Sequence, residues 1–402
     1  MAPVEIRPLT ADDDLDPQLN LAQRAFGVLD AAARPGWRAR NGRAVAEGRS
    51  FAAFDGPRQV GGAYYHDMRQ WWNGSSLPMA GIAGVKVDPG VRGQGLGRAM
   101  MTQVLRQVAA RGYPLSALYP ATMPIYRSLG WELAGGRHHA LVPARSLRDL
   151  ARPDPWLALD GSPAHSLREA TQADAAEVIA IIGRAHQAAR DCGPLSWDAA
   201  VVAQWMRDNP DAYCYIGADS FLSYRWEPGN TGLLVEWAVA TTPQAVRAQL
   251  AILAGHSSTA EEIGVRIGPH SPLWWLLRER DARLVKRSMW MLRVVDTRAA
   301  IEQRGFSTAV AGSVLLHIAD EILEDNAGAW TLTVEGGQGH LERAQAAPGD
   351  ALALGARGFA ALYAGTPVAT LRLAGLAAGG TPDDDAFLSA AFPGPAWMID
   401  DF

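Results

Sequence analysis

Residues 82 to 98 constrain this chain more than any other stretch. Ile82 to Val87 is an apolar run that reads as a buried strand. Asp88-Pro89-Gly90 marks a turn, and Gly93, Gly95 and Gly97 follow at alternate positions. Leu96, Met100, Val104 and Val108 then recur every four residues, the spacing of an amphipathic helix. A strand, a glycine-rich corner and a helix in that order make an anion site. Glycines let backbone approach a ligand closely, and the first N–H groups of a helix have no partner within it. Arg92 and Arg98 add positive charge. A phosphate-bearing ligand fits such a corner; a tight strand-to-helix turn holding nothing would use the same residues. The spacing excludes two common phosphate loops. A dinucleotide fingerprint counted from Gly93 needs glycine where Arg98 stands, and a Walker loop needs Gly-Lys-Ser/Thr where Gly95 precedes Leu96.

The rest of the sequence sets the frame. A length of 402 residues suggests two or three domains, and 48% apolar with 20% charged residues is ordinary for a globular protein. A net charge of −5 gives no electrostatic footprint for nucleic acid. The two cysteines, Cys192 and Cys214, cannot form a disulfide framework and fit a reducing, cytoplasmic setting. Acidic Glu5 and Asp12 to Asp14 near the start do not resemble a secretory signal, and no apolar run reaches the ~18 residues of a spanning helix. His138, His139 and His186 lack ligand spacing with acidic or cysteine partners, so no metal is expected.

Residues 1–150 read as one unit. Val4 to Arg7 alternates as a strand, and Thr10 to Asp13 is expected to cap a helix containing Leu15, Leu19, Ala22 and Phe26. Phe51–Phe54 and Val60–Tyr65 read as strands joined by a turn at Asp55-Gly56-Pro57. Gly112 closes the long helix, Leu115–Tyr119 is a strand, and Ile125, Tyr126 and Leu129 form a short helix stopped by Gly130. The opening then repeats. Arg7-Pro8-Leu9-Thr10-Ala11-Asp12-Asp13 matches Arg168-Glu169-Ala170-Thr171-Gln172-Ala173-Asp174, after a Pro- and Asp-rich boundary from Arg152 to Pro163. Two unrelated capped helices would share this pattern; a second copy of the first unit, over 160–292, is the sharper reading. That copy lacks the glycine corner. Its nearest candidate, Ile267 to Pro272, carries prolines where N–H donors are needed. One ligand site per chain, in the first unit, is therefore expected. In the last unit, 293–402, Thr331–Val334 and Val368–Leu373 read as strands and Leu352–Leu362 as helical. Asp383 to Asp385 are expected to cap a final helix over Ala386–Ala391.

The segments Val85-Lys86-Val87-Asp88-Pro89, Arg92 to Arg98, Arg111-Gly112-Tyr113-Pro114, Pro124 to Trp131 and the terminal Asp401-Phe402 resemble the enhanced intracellular survival (Eis) family of GNAT acetyltransferases over essentially the whole length. The resemblance implies an α/β (α+β) architecture. Its parts are tandem GNAT domains, the second degenerate, and a sterol-carrier-like C-terminal domain. It implies acetyl transfer from acetyl-CoA to amines, aminoglycosides among them, and a homohexamer. By position it sets acetyl-CoA against Val85, Lys86 and Val87, against Arg92, Gly93, Gln94, Gly95, Leu96, Gly97 and Arg98, and against Ala121 and Thr122. It makes Tyr126 the general acid and the Phe402 carboxylate the general base. Trp37 falls where a substrate-lining tryptophan is expected, although the residues around it match the family poorly, and the loop is less arginine-rich than is usual there.

Elementary chemistry supports those roles. An alkylamine is mostly protonated at neutral pH, so attack on a thioester needs a base, and the departing thiolate needs a donor such as a phenol. Apolar Trp397, Met398, Ile399 and the Phe402 ring would desolvate an α-carboxylate. Asp400 and Asp401 would raise its pKa further and attract a cationic amine. Without the resemblance Tyr126 reads sooner as a packed tyrosine on a short helix than as a catalytic one. A protein lysine acetyltransferase and a lipid or sterol binder built on the last unit are the alternatives.

Overall fold

A computed structural model describes residues 4–150, 166–345 and 351–402. The expected boundary at Arg152 to Pro163 lies outside the described residues. The first unit comprises β1 (Glu5–Pro8), α1 (Asp16–Phe26), α2 (Arg34–Ala46), β2 (Ser50–Asp55), β3 (Arg58–Trp72), β4 (Ser75–Val87), α3 (Leu96–Ala110), β5 (Leu115–Leu118), α4 (Pro124–Arg127), β6 (Glu132–Pro143) and α5 (Ala144–Leu150). The second follows that order with one strand, β8, added between its first two helices: β7 (Arg168–Glu169), α6 (Ala175–Ala189), β8 (Cys192–Ser196), α7 (Ala199–Asp208), β9 (Tyr213–Gly217), β10 (Ser220–Trp226), β11 (Gly232–Ala240), α8 (Pro243–Gly255), β12 (Glu262–Ile267), α9 (Leu273–Leu276) and β13 (Arg283–Val294). The third holds α10 (Thr297–Gln303), β14 (Gly312–Ala319), β15 (Gly328–Glu335), β16 (Gln338–Arg343), β17 (Leu352–Gly355), α11 (Ala356–Tyr363), α12 (Val368–Leu373), β18 (Ala377–Ala378), α13 (Pro382–Ala391) and β19 (Ala396–Trp397).

The internal repeat is present in atomic detail. Arg7 pairs with Asp13 at 2.7 Å and Arg168 with Asp174 at 2.6 Å. The Thr10 and Thr171 N–H groups donate to those aspartates at 2.8 and 2.7 Å. In both copies the hydrogen bond from the arginine is the largest influence holding the carboxyl below its ordinary range. In the first copy Thr10–Asp13 forms a turn ahead of the helix rather than its cap. The helix starts three residues later at Asp16, where Pro17 supplies a preset φ at the first turn.

The two units share one sheet and exchange strands across it. Its order is β1-β2-β3-β4-β5-β13-β6-β12-β11-β10-β9-β7. Strand β13 of the second unit pairs with β5 of the first over Leu115–Leu118, while β6 of the first pairs with β12 of the second over His138–Pro143. The two exchanged strands lie antiparallel beside each other. Neither unit's sheet is complete without a strand from the other.

The third unit is a sheet of order β16-β15-β14-β17-β18 with helices on it. Two segments differ from the sequence expectation. Val368–Leu373 is helix, not strand: Val368 and Leu371 are buried one turn apart while Leu373 is 92% exposed. Residues 352–362 split at Gly355 into strand and helix. The final helix starts earlier than expected, at Pro382, and its cap is Thr381, whose hydroxyl accepts from the Asp384 N–H while Asp384 reaches back to Thr381 N. Arg293, at the end of β13, fixes this unit to the first. Its guanidinium donates to both oxygens of buried Asp320 at 2.6 and 2.7 Å and to the Leu129 carbonyl at 3.0 Å.

Candidate active site

Strands β4 and β5 are parallel and hydrogen-bonded only where Met79–Gly81 face Leu115–Ala117. Beyond Gly81, β4 runs on to Val87 while β5 stops at Leu118, so the sheet splays open. In this stretch two residues of β4, Gly84 and Val85, oppose the single Ala63 of β3. Gly84 supplies the left-handed φ of +58° that this bulge uses. The strand's two faces differ. Val85 and Val87 pack toward Met100 on α3. Lys86 is buried with its Nζ 3.2 Å from the Gly84 carbonyl, and burial alone pushes its ammonium down to about 8.

The glycine corner stands beside this opening. Asp88 accepts from the Gly90 N–H at 2.9 Å and is held by Arg58 at 2.7 Å and Arg24 at 3.3 Å. Arg92 donates to the Val87 carbonyl at 3.2 Å. Gly93 and Gly95 both adopt φ +79°, and nothing lies within 4 Å of where either Cβ would be. Gly95 is the N-cap of α3 and brings no side chain to its N–H groups. Gln94 is exposed and Leu96 buried beneath the helix start. Gly97 has a packing role instead: a Cβ there would sit 3.0 Å from Ile125 Cδ1. Arg98 ties α3 to the end of α4 through the Ser128 carbonyl at 2.7 Å. The corner therefore presents free helix N–H groups and open space, which fits a pyrophosphate. Ala121 and Thr122 are exposed on the loop between β5 and α4. Tyr126 on α4 is buried among Met100, Leu118 and Leu129, edge-on to Trp131. Burial pushes its phenol up to about 12, so it keeps its proton throughout the working range.

The chain end approaches from the opposite face. Strand β19 runs parallel to β6 at Gly135 and Gly136, so close that a Cβ on Gly135 would overlap the Ala396 carbonyl. The Phe402 ring lies against Gly81, where a Cβ would come within 2.8 Å of it, and 5.7 Å from the Tyr119 ring. Gly81 is the last residue of β4 paired to β5, so Phe402 sits at the apex of the splay. Its neighbours Ala80 and Ile82 point into the core that holds Tyr126. Strand alternation thus puts Phe402 and Tyr126 on opposite faces, with the gap between them. His66, the cross-strand partner of Gly81, is half-buried, and desolvation with Arg49 and Arg40 nearby pushes it down to about 4, leaving it neutral. Trp37 is half-buried on α2, its carbonyl accepting from Asn41 Nδ2 at 2.9 Å.

Asp400 and Asp401 differ from each other. Asp400 is buried and its carboxylate accepts from the Leu195 N–H at 3.3 Å, Trp197 Nε1 at 3.0 Å and Trp237 Nε1 at 3.4 Å. Burial pushes that carboxyl up. Asp401 is half exposed, bonded to Arg137 and 3.7 Å from Arg266. Beside them a cavity of about 230 Å³ opens between Trp197, Trp205, Trp237, Glu236 and Arg266. The arginines and the indoles were not among the expected site residues; only the high tryptophan count, 14, hinted at them. The proline-bearing stretch Ile267 to Pro272 packs against the chain's last residues: a Cβ on Gly268 would meet the Trp397 ring at 2.8 Å.

Comparison with known proteins finds a domain model in each of the three units. A model of the acetyltransferase (GNAT) domain matches residues 5–134, a second GNAT domain model matches 193–294, and a sterol carrier protein domain model matches 297–399. N-acetyltransferase Eis of Mycobacterium tuberculosis is 31% identical over 274 residues, 66% of this chain and 67% of that protein. A GCN5-related N-acetyltransferase from Kribbella flavida, known by crystal structure, is 37% identical with a TM-score of 0.92 over 100% of this chain and 98% of that one. Eis1 from Mycobacterium abscessus, 22% identical, shares the fold with a TM-score of 0.78 over 99% of this chain and 100% of its own. Among the described residues no helix is long and apolar enough to cross a membrane. The chain is an acetyltransferase and belongs to the Eis family of GNAT enzymes.

Proposed function

We propose that this enzyme moves the acetyl group of acetyl-CoA onto an amine of a cationic small molecule carrying at least two amines, as aminoglycosides do. The observation that carries the reading is the position of Phe402 at the apex of the β4–β5 splay, across the gap from Tyr126. The pyrophosphate binds the N–H groups from Gly93 to Arg98, with Ala121 and Thr122 flanking the pantetheine arm. The thioester enters the splay, where N–H groups around the bulge at Val85 to Val87 stabilise charge developing on its oxygen. The Phe402 carboxylate takes a proton from the acceptor ammonium, the freed amine attacks the thioester carbonyl, and Tyr126 gives its proton to the departing thiolate as the C–S bond breaks. A second ammonium binds in the tryptophan-lined cavity, against indole faces and beside Glu236 and Asp401. Arg137 and Arg266 partly offset the acidic charge there, so the aromatic faces carry much of the selection. Trp37 and the α1–α2 face wall the acceptor side.

The test is thiol release from acetyl-CoA across aminoglycosides, linear diamines, monoamines, amino acids and a lysine peptide. Diamines and aminoglycosides should turn over fastest. Faster turnover of the lysine peptide would move the reading to protein acetylation. Assembly as a cytoplasmic homohexamer belongs to the same proposal, supported by the family alone; light scattering that gives a monomer would remove it.

A further inference from the structure

The second unit has a splay of its own. Strands β11 and β12 are parallel and paired from Gly232–Val235 to Glu262–Val265, then part. Glu236 and Trp237 are the first residues of β11 beyond the last pair, where Ile82 and Ala83 stand in the first unit. The helix that follows cannot take a phosphate: α8 opens with Pro243, and the Thr242 hydroxyl already caps it by accepting from Ala245 N at 3.2 Å. This mouth instead holds part of the same chain. The Asp400 carboxylate sits in it on three N–H groups, two from indoles and one from the β8 backbone, while the Asp400 carbonyl accepts from Tyr119 OH at 2.8 Å. Two residues later the chain ends on Gly81 in the other splay.

We propose that the degenerate unit serves as a receptor for the enzyme's own last residues, with Asp400 as the positioning residue that delivers Phe402 to the first unit's splay. A terminal carboxylate is useful as a base only if it is held in register, and free chain ends fray. The grip joins all parts of the molecule: Trp197 and Trp237 come from the second unit, Tyr119 from the first, and Asp400 follows the third. The inference rests on the proposed role of Phe402 for its catalytic consequence, but not for the grip itself.

The experiment separates the two. Release of Phe402 by a carboxypeptidase selective for aromatic termini is timed in the full-length enzyme, in Asp400→Ala and in the double variant Trp197→Phe, Trp237→Phe. The double variant keeps an aromatic ring at each position and removes two donors, so it reports even if Asp400→Ala fails to fold by circular dichroism. Release should quicken at least about tenfold in both, with Asp400→Asn, which keeps an acceptor oxygen, between them and the native chain. In parallel kcat should fall while the KM for acetyl-CoA holds. Unchanged release in both variants overturns the proposal, whatever happens to kcat. Faster release with unchanged kcat upholds the grip and removes Phe402 from the chemistry.

Discussion

Gly95→Ala separates backbone strain from ligand contact. Gly95 adopts φ +79° with nothing within 4 Å of the place a methyl would take, so alanine there meets no protein atom. The folded-state cost is the left-handed conformation alone, about 1–2 kcal/mol. The same methyl would stand where the pyrophosphate must approach the N–H groups of α3. A loss of at least about tenfold in acetyl-CoA affinity, or about 1.4 kcal/mol, is expected. Gly112 provides the control. It has φ +76°, nothing within 4 Å, and it follows the other end of α3. At about 1.5 Å per residue that is roughly 25 Å away. Gly112→Ala should lose the same stability in denaturant unfolding and none of the affinity in calorimetry. If both variants lose affinity alike, or Gly95→Ala loses none, the corner is not the coenzyme site.

Tyr126→Phe should lower turnover by about 10²–10⁴ with acetyl-CoA affinity little changed. Because burial pushes the phenol up to about 12, the native enzyme should show no alkaline loss of kcat from this group below about pH 10; a limb near pH 9 would point to another acid. Lys86 carries a buried ammonium whose pKa falls from 10.5 to about 8, by desolvation. Below pH 8 both states are charged and folding bears the whole cost, about 3 kcal/mol; as pH rises toward 10.5 the unfolded chain also loses its proton and the cost disappears. Lys86→Met should therefore be more stable than the native protein at pH 7 in urea unfolding, with the difference vanishing near pH 10.5. Arg293→Ala leaves the buried Asp320 carboxylate, among the described residues, with the N–H groups of Ile322, Leu323 and Asn326. That should cost about 3–5 kcal/mol by the same measurement, and a change under about 1 kcal/mol would deny the pair its role in fixing the third unit.

The first unit was legible because its signals are local. The four-residue period from Leu96 to Val108 marks one buried helix face, and Arg7–Asp13 recurs as Arg168–Asp174 through short-range bonds. Val368 to Leu373 misled because its apolar residues satisfy both a two-residue and a three-residue spacing; Pro367 before it and solvent at Leu373 decide for helix. The exchange of β6 and β13 was out of reach, since pairing order depends on contacts about 150 residues apart. So was the divided fate of two adjacent aspartates. Asp400 and Asp401 are alike in sequence, and only the indoles of Trp197 and Trp237, distant in the chain, turn one into an anchor and leave the other beside the cavity. Arg137 and Arg266, which offset Asp401, come from β6 and β12, strands adjacent only because of that exchange.

The central claim is that the carboxylate of Phe402 is the base. Semisynthesis can replace it by a carboxamide, which removes the charge and adds no bulk. Both chains would carry any tag at the N-terminus and be assayed on the same diamine at saturating acetyl-CoA. The carboxamide should lower kcat by about 10²–10⁴, with acetyl-CoA affinity unchanged. Equal rates for carboxylate and carboxamide would contradict that role and assign proton removal to another group.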